Sequence, residues 1–92
     1  MKKLYKFEWD IRRMGTVEGI FIAEESEVKE AIGKKVYFGE ILGKHSEVYG
    51  DIGEDDIQVV SEDQDFISKC EEIFGTSISG YNPLSYMNED EW

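Results

Sequence analysis

Positions 5 to 10, which read YKFEWD, alternate between aromatic and charged side chains. Tyr5, Phe7 and Trp9 therefore fall on one side of an extended chain, and the charged residues fall on the other. This period of two is typical of a β-strand with one buried face, and a helix of the same residues would scatter the three rings around its axis. The rest of the chain must supply neighbouring strands and a layer that covers the aromatic face.

Four further segments predict strands that extend this sheet. VEGIFIA follows the turn RRMG and pairs with the first strand as a hairpin. KVYFGEIL is rich in β-branched and aromatic residues, and the strand-like segments VYGDI and IQVVS come after it. In VYGDI and the residue before it, Val48, Gly50 and Ile52 point to one side, while Glu47, Tyr49 and Asp51 point to the other. We expect a mostly antiparallel sheet of about five strands.

Two helices are predicted between and after these strands. Ser26 is placed as the N-cap of a short helix that ends at Gly33. Ser61 and Gln64 match a capping box, S-x-x-Q, at the start of a second helix. That helix carries an apolar stripe expected to be buried, which consists of Phe66, Ile67, Cys70, Ile73 and Phe74. The predicted fold class is α+β, in the order ββαβββα.

The length and composition suit one small folded domain that spans residues 1–92. Of the 92 residues, 40% are hydrophobic and 34% are charged, which is enough apolar material for a core. Residues 87–92 are predicted to form a flexible acidic tail. No apolar run approaches the roughly 18 residues that span a bilayer, and the start MKKLYKFEWD lacks the apolar block of a signal peptide. These features predict a cytoplasmic protein.

The two halves of the chain differ strongly in charge, although the formal net charge is −11. Residues 1–46 contain nine Lys/Arg and eight Asp/Glu, a net of +1. Residues 47–92 contain thirteen Asp/Glu against Lys69 alone, a net of −12. Acidity that served only solubility would be spread over the whole chain, whereas a one-sided excess creates a local field that steers a partner of opposite sign.

No residue pattern predicts an enzyme, a cofactor site or a metal site. His45 is the only histidine, but its polar neighbours in GKHSE are consecutive in the chain and cannot converge on one reacting atom. Cys70 lies on the predicted apolar stripe, which is typical of a buried structural cysteine. DIGEDD offers carboxylates but lacks the EF-hand order, and the glycines form no phosphate-binding motif. The roles of His45, Arg12 and Arg13 stay open.

The acidic surface is the remaining feature with functional content. Duplex DNA carries one negative charge per about 1.7 Å of axis, and proteins that bind it present grooves lined with Lys and Arg. A folded row of carboxylates can occupy such a groove, so the predicted partner is a basic nucleic-acid-binding protein, and neither nucleic acid itself nor a membrane. The predicted partner-binding residues are Glu47, Tyr49, Asp51, Glu54, Asp55, Asp56, Glu62, Asp63, Asp65 and Glu72.

In its size, its acidity and its single domain of mixed sheet and helix, the chain resembles small proteins of phages and mobile elements that block bacterial defence nucleases. These are the anti-CRISPR and anti-restriction inhibitors, which share a strategy more than an ancestor, so no motif or residue is carried over from them. The resemblance implies a stoichiometric inhibitor of a CRISPR or restriction nuclease, acting in the cytoplasm of a bacterial host cell.

A second interpretation belongs to a different class, that of a small protein-binding adaptor or regulatory module. Its site would be an aromatic surface together with the segment YNPLSY, in which Pro83 pushes Asn82 toward an extended conformation. Tyr81, Leu84 and Tyr86 are also typical of side chains that cover the edge of a core. In this interpretation the acids serve solubility, and binding is nearly independent of ionic strength.

Overall fold

The computed structural model describes residues 1–11, 15–39, 41 and 47–87. Within these residues lie six β-strands and two α-helices, which confirms the α+β class. Short 3₁₀ helices cover Glu54–Asp56 and Pro83–Tyr86. In chain order the strands and α-helices are β1 (Lys2–Asp10), β2 (Thr16–Glu24), α1 (Glu25–Ala31), β3 (Lys35–Gly39), β4 (Val48–Asp51), β5 (Ile57–Ser61), α2 (Gln64–Phe74) and β6 (Ser77–Gly80).

The strands form two antiparallel sheets. The larger sheet has the order β5-β1-β2-β6, and the smaller one pairs β3 with β4. The pairing of β1 with β2 runs without a shift of register from Lys2 opposite Glu24 to Asp10 opposite Thr16. Because the side chains of each strand alternate between the two faces, this long hairpin fixes which residues point into each layer.

The main core lies on the face of the larger sheet to which Tyr5, Phe7 and Phe21 point. These three side chains are buried, and the rings of Tyr5 and Phe21 stack with their centroids 5.6 Å apart. Helix α1 contributes Val28 and Ala31 to the same cluster, and the β3–β4 hairpin contributes further apolar side chains. The aromatic face of YKFEWD is therefore covered by α1 and by the smaller sheet, as its alternation requires.

Helix α2 covers part of the opposite face of the larger sheet. Ile67 packs there against Leu4 and Ile22 in a second, smaller cluster. The helix begins beside β1, where the side-chain amide of Gln64 donates a hydrogen bond of 2.8 Å to the carbonyl oxygen of Lys2. It ends at the start of β6, so α2 crosses the sheet from the β5 side to the β6 side at one end of the strands.

Two helix starts and one strand differ from the sequence predictions. Glu24, and not Ser26, is the N-cap of α1. Asp63, and not Ser61, is the N-cap of α2, since its carboxylate accepts hydrogen bonds of 3.1 and 3.3 Å from the backbone amides of Asp65 and Phe66. The segment SISG, for which the predicted order ββαβββα has no strand, forms β6 because the free edge of β2 offers it backbone partners.

The predicted burial of the apolar stripe of α2 is largely wrong. Ile67 is buried and Cys70 is half-buried, but Phe66, Ile73 and Phe74 are 50%, 68% and 60% exposed. The helix has 11 residues and lies across one end of the sheet, where Leu4 and Ile22 supply the buried apolar contacts. Only the middle of the stripe therefore meets an apolar surface.

The segment YNPLSY covers one edge of the main core. Asn82 and Pro83 are buried, and Tyr81 and Leu84 pack against the core cluster. Met87 forms an isolated bridge with Val36 and packs on the same cluster, so it belongs to the fold and not to a tail. The remaining tail positions, 88–92, lie outside the described residues, as do Arg12, Arg13 and most of GKHSE with His45.

Replacing Gly19 by alanine is expected to destabilise the protein far more than replacing Gly50. A Cβ atom on Gly19, in β2, would stand 2.1 Å from the carbonyl oxygen of Tyr81 and 2.6 Å from its backbone nitrogen. Backbone atoms cannot yield cheaply, so we expect Gly19→Ala to lower the free energy of unfolding by about 2 kcal/mol or more.

Gly50→Ala is the matched control, because a Cβ atom in that strand would meet the Trp9 ring at an ordinary 3.5 Å. Urea unfolding of both variants, followed by circular dichroism, measures the difference. Equal losses in the two variants would contradict the close approach of Tyr81 to β2.

Candidate functional site

Strand β5 forms an outer edge of the larger sheet. One side of β5 pairs with β1, and among the described residues no other strand pairs with its free side. Ile57 is buried opposite Phe7, but Val59 and Val60 are 48% and 53% exposed, and Gln58 is exposed as well. The edge therefore presents unpaired backbone groups beside two exposed apolar side chains.

Acidic residues precede this edge strand directly. The leading acids, Glu54, Asp55 and Asp56, form the short 3₁₀ helix that runs into β5. Asp56 has a structural role, since its Oδ2 accepts hydrogen bonds of 2.8 Å from Trp9 Nε1 and 2.7 Å from the amide of Gly53. Through these hydrogen bonds Asp56 fixes the turn, and the turn holds the exposed side chains of Glu54 and Asp55 beside the start of the strand.

A second group of acids follows the same strand directly. The trailing acids, Glu62, Asp63 and Asp65, lie between the end of β5 and the first turn of α2. Asp63 caps the helix, and Asp65 is exposed in the first turn, where the helix dipole favours negative charge. The leading and trailing acids thus flank the two ends of one exposed edge strand.

Two lysines of β1 compensate some of the nearby acids. Lys3 Nζ lies 3.4 Å from a carboxylate oxygen of Glu62 and also donates a hydrogen bond to Glu25. That hydrogen bond lowers the pKa of Glu25 and raises the pKa of Lys3, and a hydrogen bond to Glu71 raises the pKa of Lys2. The acidic surface is therefore partly neutralised at the end of the sheet where α2 begins.

The outward face of β4 carries Tyr49 and Asp51, and Glu47 directly precedes the strand, as the alternation of EVYGDI predicted. Glu47, Tyr49 and Asp51 are exposed, while the residues between them are wholly or partly buried. Asp51 stands opposite Lys35 of β3, and the rings of Tyr49 and Tyr37 stack with their centroids 6.2 Å apart. These residues belong to the smaller sheet, where a lysine stands beside the acid, and not to the β5 edge.

Helix α2 carries a further exposed acid beyond the trailing acids. Glu72 is exposed and lies seven positions after Asp65. Residues seven positions apart fall on the same side of a helix, separated by about 10.5 Å along its axis. Lys69, the only lysine of residues 47–92, lies four positions after Asp65 on the same helix. The solvent side of α2 therefore carries two acids and one lysine.

The exposed valines of the β5 edge were not among the predicted site residues. IQVVS places Val59 and Val60 next to each other, so alternation could bury only one of the two in a sheet with one covered face. That break in the pattern was the available signal. The predicted acidic residues form only part of the candidate surface, and the exposed valines between them form the rest.

Features typical of an enzyme are weak in the part of the chain that the structure describes. A cavity of about 270 Å³ on the α2 side of the sheet is lined by Lys6 and Glu18 together with glycine, serine and isoleucine. Within the described ranges no group of three His, Cys, Asp or Glu residues could hold a metal ion, and no helix is long and apolar enough to cross a membrane. Cys70 packs against the second core cluster.

The chain matches no protein-family model, and comparisons with curated proteins and with solved structures found no match. The candidate surface must therefore be judged on its own geometry and charge.

Removing the carboxylate of Asp56 is expected to cost more stability than removing that of Asp55. Asp56→Ala leaves Trp9 Nε1 and the Gly53 amide without their acceptor, and we expect a loss of about 1–3 kcal/mol in the free energy of unfolding. Asp55→Ala is the control, with an expected change within about 0.5 kcal/mol because the side chain is exposed. Urea titration with tryptophan fluorescence reports both, and equal effects would contradict the structural role of Asp56.

The stability of the protein is expected to fall in acid partly through Glu25. Its folded pKa lies below the ordinary value of 4.5, mainly through the hydrogen bond from Lys3. Its contribution is therefore complete above the unfolded pKa and is lost as the pH falls through the folded pKa. In urea titrations between about pH 6 and pH 3, Glu25→Gln should show a shallower decline than the parent protein. Glu30→Gln, on the same helix and exposed, is the control and should follow the parent.

Proposed function

We propose that this protein is an acidic, nucleic-acid-mimicking inhibitor that binds the basic channel of a nucleic-acid-processing enzyme. The observation that supports the proposal is the edge strand β5, which has exposed acids at both ends. A CRISPR or restriction nuclease offers the complementary surface, because its channel is lined with Lys and Arg to hold phosphates. The inhibitor occupies that channel stoichiometrically and carries out no chemistry.

The distribution of lysines supports a net negative field at this edge. Among the described residues, the ion pairs of Lys2 and Lys3 join β1 to α1 and α2, and none reaches Glu54, Asp55 or Asp65. Exposed charges that no nearby opposite charge neutralises raise the rate of encounter with an oppositely charged partner. This effect weakens as salt is added. The same field repels nucleic acid, so the proposed partner is a protein.

The place of action that follows from this proposal is the cytoplasm of a bacterial host cell, where defence nucleases work. The protein would need neither a cofactor nor a metal ion for this role, because occupation of the channel is sufficient for inhibition. Tyr49, which the sequence prediction grouped with the acids, lies on the β3–β4 hairpin and would contact the partner only if the channel also reaches that sheet.

The alternative function, a protein-binding adaptor, is favoured by one specific observation. Tyr49 is 59% exposed and stacks on Tyr37 on the outer face of the smaller sheet, which is a rigid aromatic surface of the kind found at protein interfaces. The segment YNPLSY contributes less to this alternative than its sequence suggested, since Asn82 and Pro83 are buried. An adaptor that used this surface would bind nearly independently of salt.

The inhibitor proposal predicts that captured partners are released by nucleic acid. The immobilised protein is incubated with nuclease-treated bacterial lysate at about 0.05 M salt, and bound proteins are eluted either with duplex DNA or with about 0.5 M salt. We expect nucleic-acid-binding enzymes in both eluates, because the DNA and the inhibitor compete for one channel. Partners that stay bound under both treatments would contradict the proposal and favour the adaptor.

A pair of charge-reversal variants tests whether the position of the acids matters. Replacing Glu54, Asp55 and Asp65 with lysine changes the formal net charge from −11 to −5 and should reduce capture at least about tenfold. The matched control makes the same change in net charge at three exposed acids elsewhere, which are Glu8, Glu18 and Glu30. Both folds are checked by circular dichroism. Equal capture by the two variants would show that only total charge matters and would contradict a localised surface.

A further inference from the structure

The free edge of β5 lacks most of the features that normally prevent strand addition. An exposed edge strand presents a row of backbone donors and acceptors, and proteins usually protect it with lysine, proline, a β-bulge or a covering element. Residues 57–61 read IQVVS, with neither lysine nor proline, and Val59 and Val60 are exposed. A bulge-like shift of register between Leu4 and Tyr5 affects only the end of the strand, and Ile57, Gln58 and Val59 pair regularly with β1. Within the described residues, the edge is thus open to another extended chain.

The flanking charges determine which chain can be added there. Five residues of antiparallel strand extend over roughly 17 Å, so the leading and trailing acids stand near the two ends of a short stretch of backbone. A segment with lysine or arginine at both ends and apolar residues between them complements this pattern. The basic ends face the leading and trailing acids, and the apolar middle faces Val59 and Val60.

A second copy of this chain does not fit the same edge. If two β5 strands paired antiparallel, the leading acids of one copy would stand beside the trailing acids of the other, and in parallel pairing like groups would meet. Either arrangement places carboxylates against carboxylates, which is unfavourable for directly opposed strand residues. Charge complementarity therefore selects a basic segment of another protein.

The negative charge at this edge is sparser than that of a nucleic acid. A DNA duplex carries about ten negative charges over roughly 17 Å of axis. The leading and trailing acids number six, and Asp56, Asp63 and Glu62 are already engaged by hydrogen bonds or by Lys3. Tight binding at this edge therefore requires contacts besides Coulomb attraction, and backbone hydrogen bonds along β5 are the contacts that the edge offers.

We infer that β5 adds an extended segment of the partner as a further strand of the larger sheet, and that this segment carries lysine or arginine at both ends of an apolar middle. In its choice of a basic partner the inference rests on the proposed function. It goes beyond that function by naming the recognition mode, which is strand addition, and the chemistry of the recognised segment.

Synthetic peptides test the inference without knowledge of the partner. The probe is KKVTVTVKK, and its matched control has the same sequence with N-methyl groups on alternate residues, which block hydrogen bonding along one edge but keep the charge. We expect the unmodified peptide to shift the backbone amide signals of residues 57–61 in NMR spectra. The N-methylated peptide should bind at least about tenfold more weakly, because it cannot form the backbone hydrogen bonds of an added strand.

Protein variants locate the charge contribution in the same titration. Replacing Glu54 and Asp55 with lysine should weaken the binding of the unmodified peptide at least about tenfold. Replacing Glu8 and Glu18 with lysine should change its affinity less than about twofold. Equal affinities for the methylated and unmodified peptides, amide shifts confined to other residues, or a β5-linked dimer of the protein would each overturn the inference.

The two proposals fail in distinguishable ways. Capture of enzymes that DNA releases, together with no peptide binding at residues 57–61, would overturn strand addition and leave the inhibitor proposal standing. Peptide binding at residues 57–61, together with lysate partners that neither DNA nor salt releases, would support strand addition and overturn nucleic-acid mimicry.

Discussion

The antiparallel pairing of β1 with β2 is the interaction on which the other layers depend. Because nine successive pairs keep one register, Tyr5 and Phe7 point into the main core while Leu4 points under α2. A slip of one residue would exchange these faces and place charged side chains of β1, such as Lys6 and Glu8, in the main core. Strand β1 also pairs with β5, so the position of the acidic edge follows from the same register.

The acidic edge combines residues that hold the fold with residues left to solvent. Asp56 ties the turn before β5 to Trp9, and Asp63 begins α2, so each end of the strand is fixed by a carboxylate that is engaged internally. Neighbouring carboxylates, such as those of Glu54 and Asp65, are exposed as a consequence. The same local sequence thus holds the fold and leaves further acids exposed for the proposed recognition.

The sequence predicted this fold well where one local pattern decided the outcome. Alternation located β1, since a strand with one buried face leaves a period of two, and the β-branched run IQVVS gave the bounds of β5 as the structure has them. It failed where the outcome depended on distant partners. Strand β6 exists because the edge of β2 is free, and Phe66 and Ile73 are exposed because the sheet offers α2 too little apolar surface. Similarly, composition showed the excess of acids, but the pairing of Asp51 with Lys35 across two strands followed only from register.

The close passage of Tyr81 over Gly19 makes the two edges of the larger sheet unequal. At the β6 edge the strand stops after four residues, Gly80 adopts a left-handed backbone with φ of 66°, and the amide of Tyr81 donates to the carbonyl oxygen of Glu18. Growth of a filament by head-to-tail addition needs two edges that both accept strands. Because β6 ends at Gly80, the β6 edge offers an added chain at most four residues of backbone. So short an edge strand favours finite assemblies over polymers.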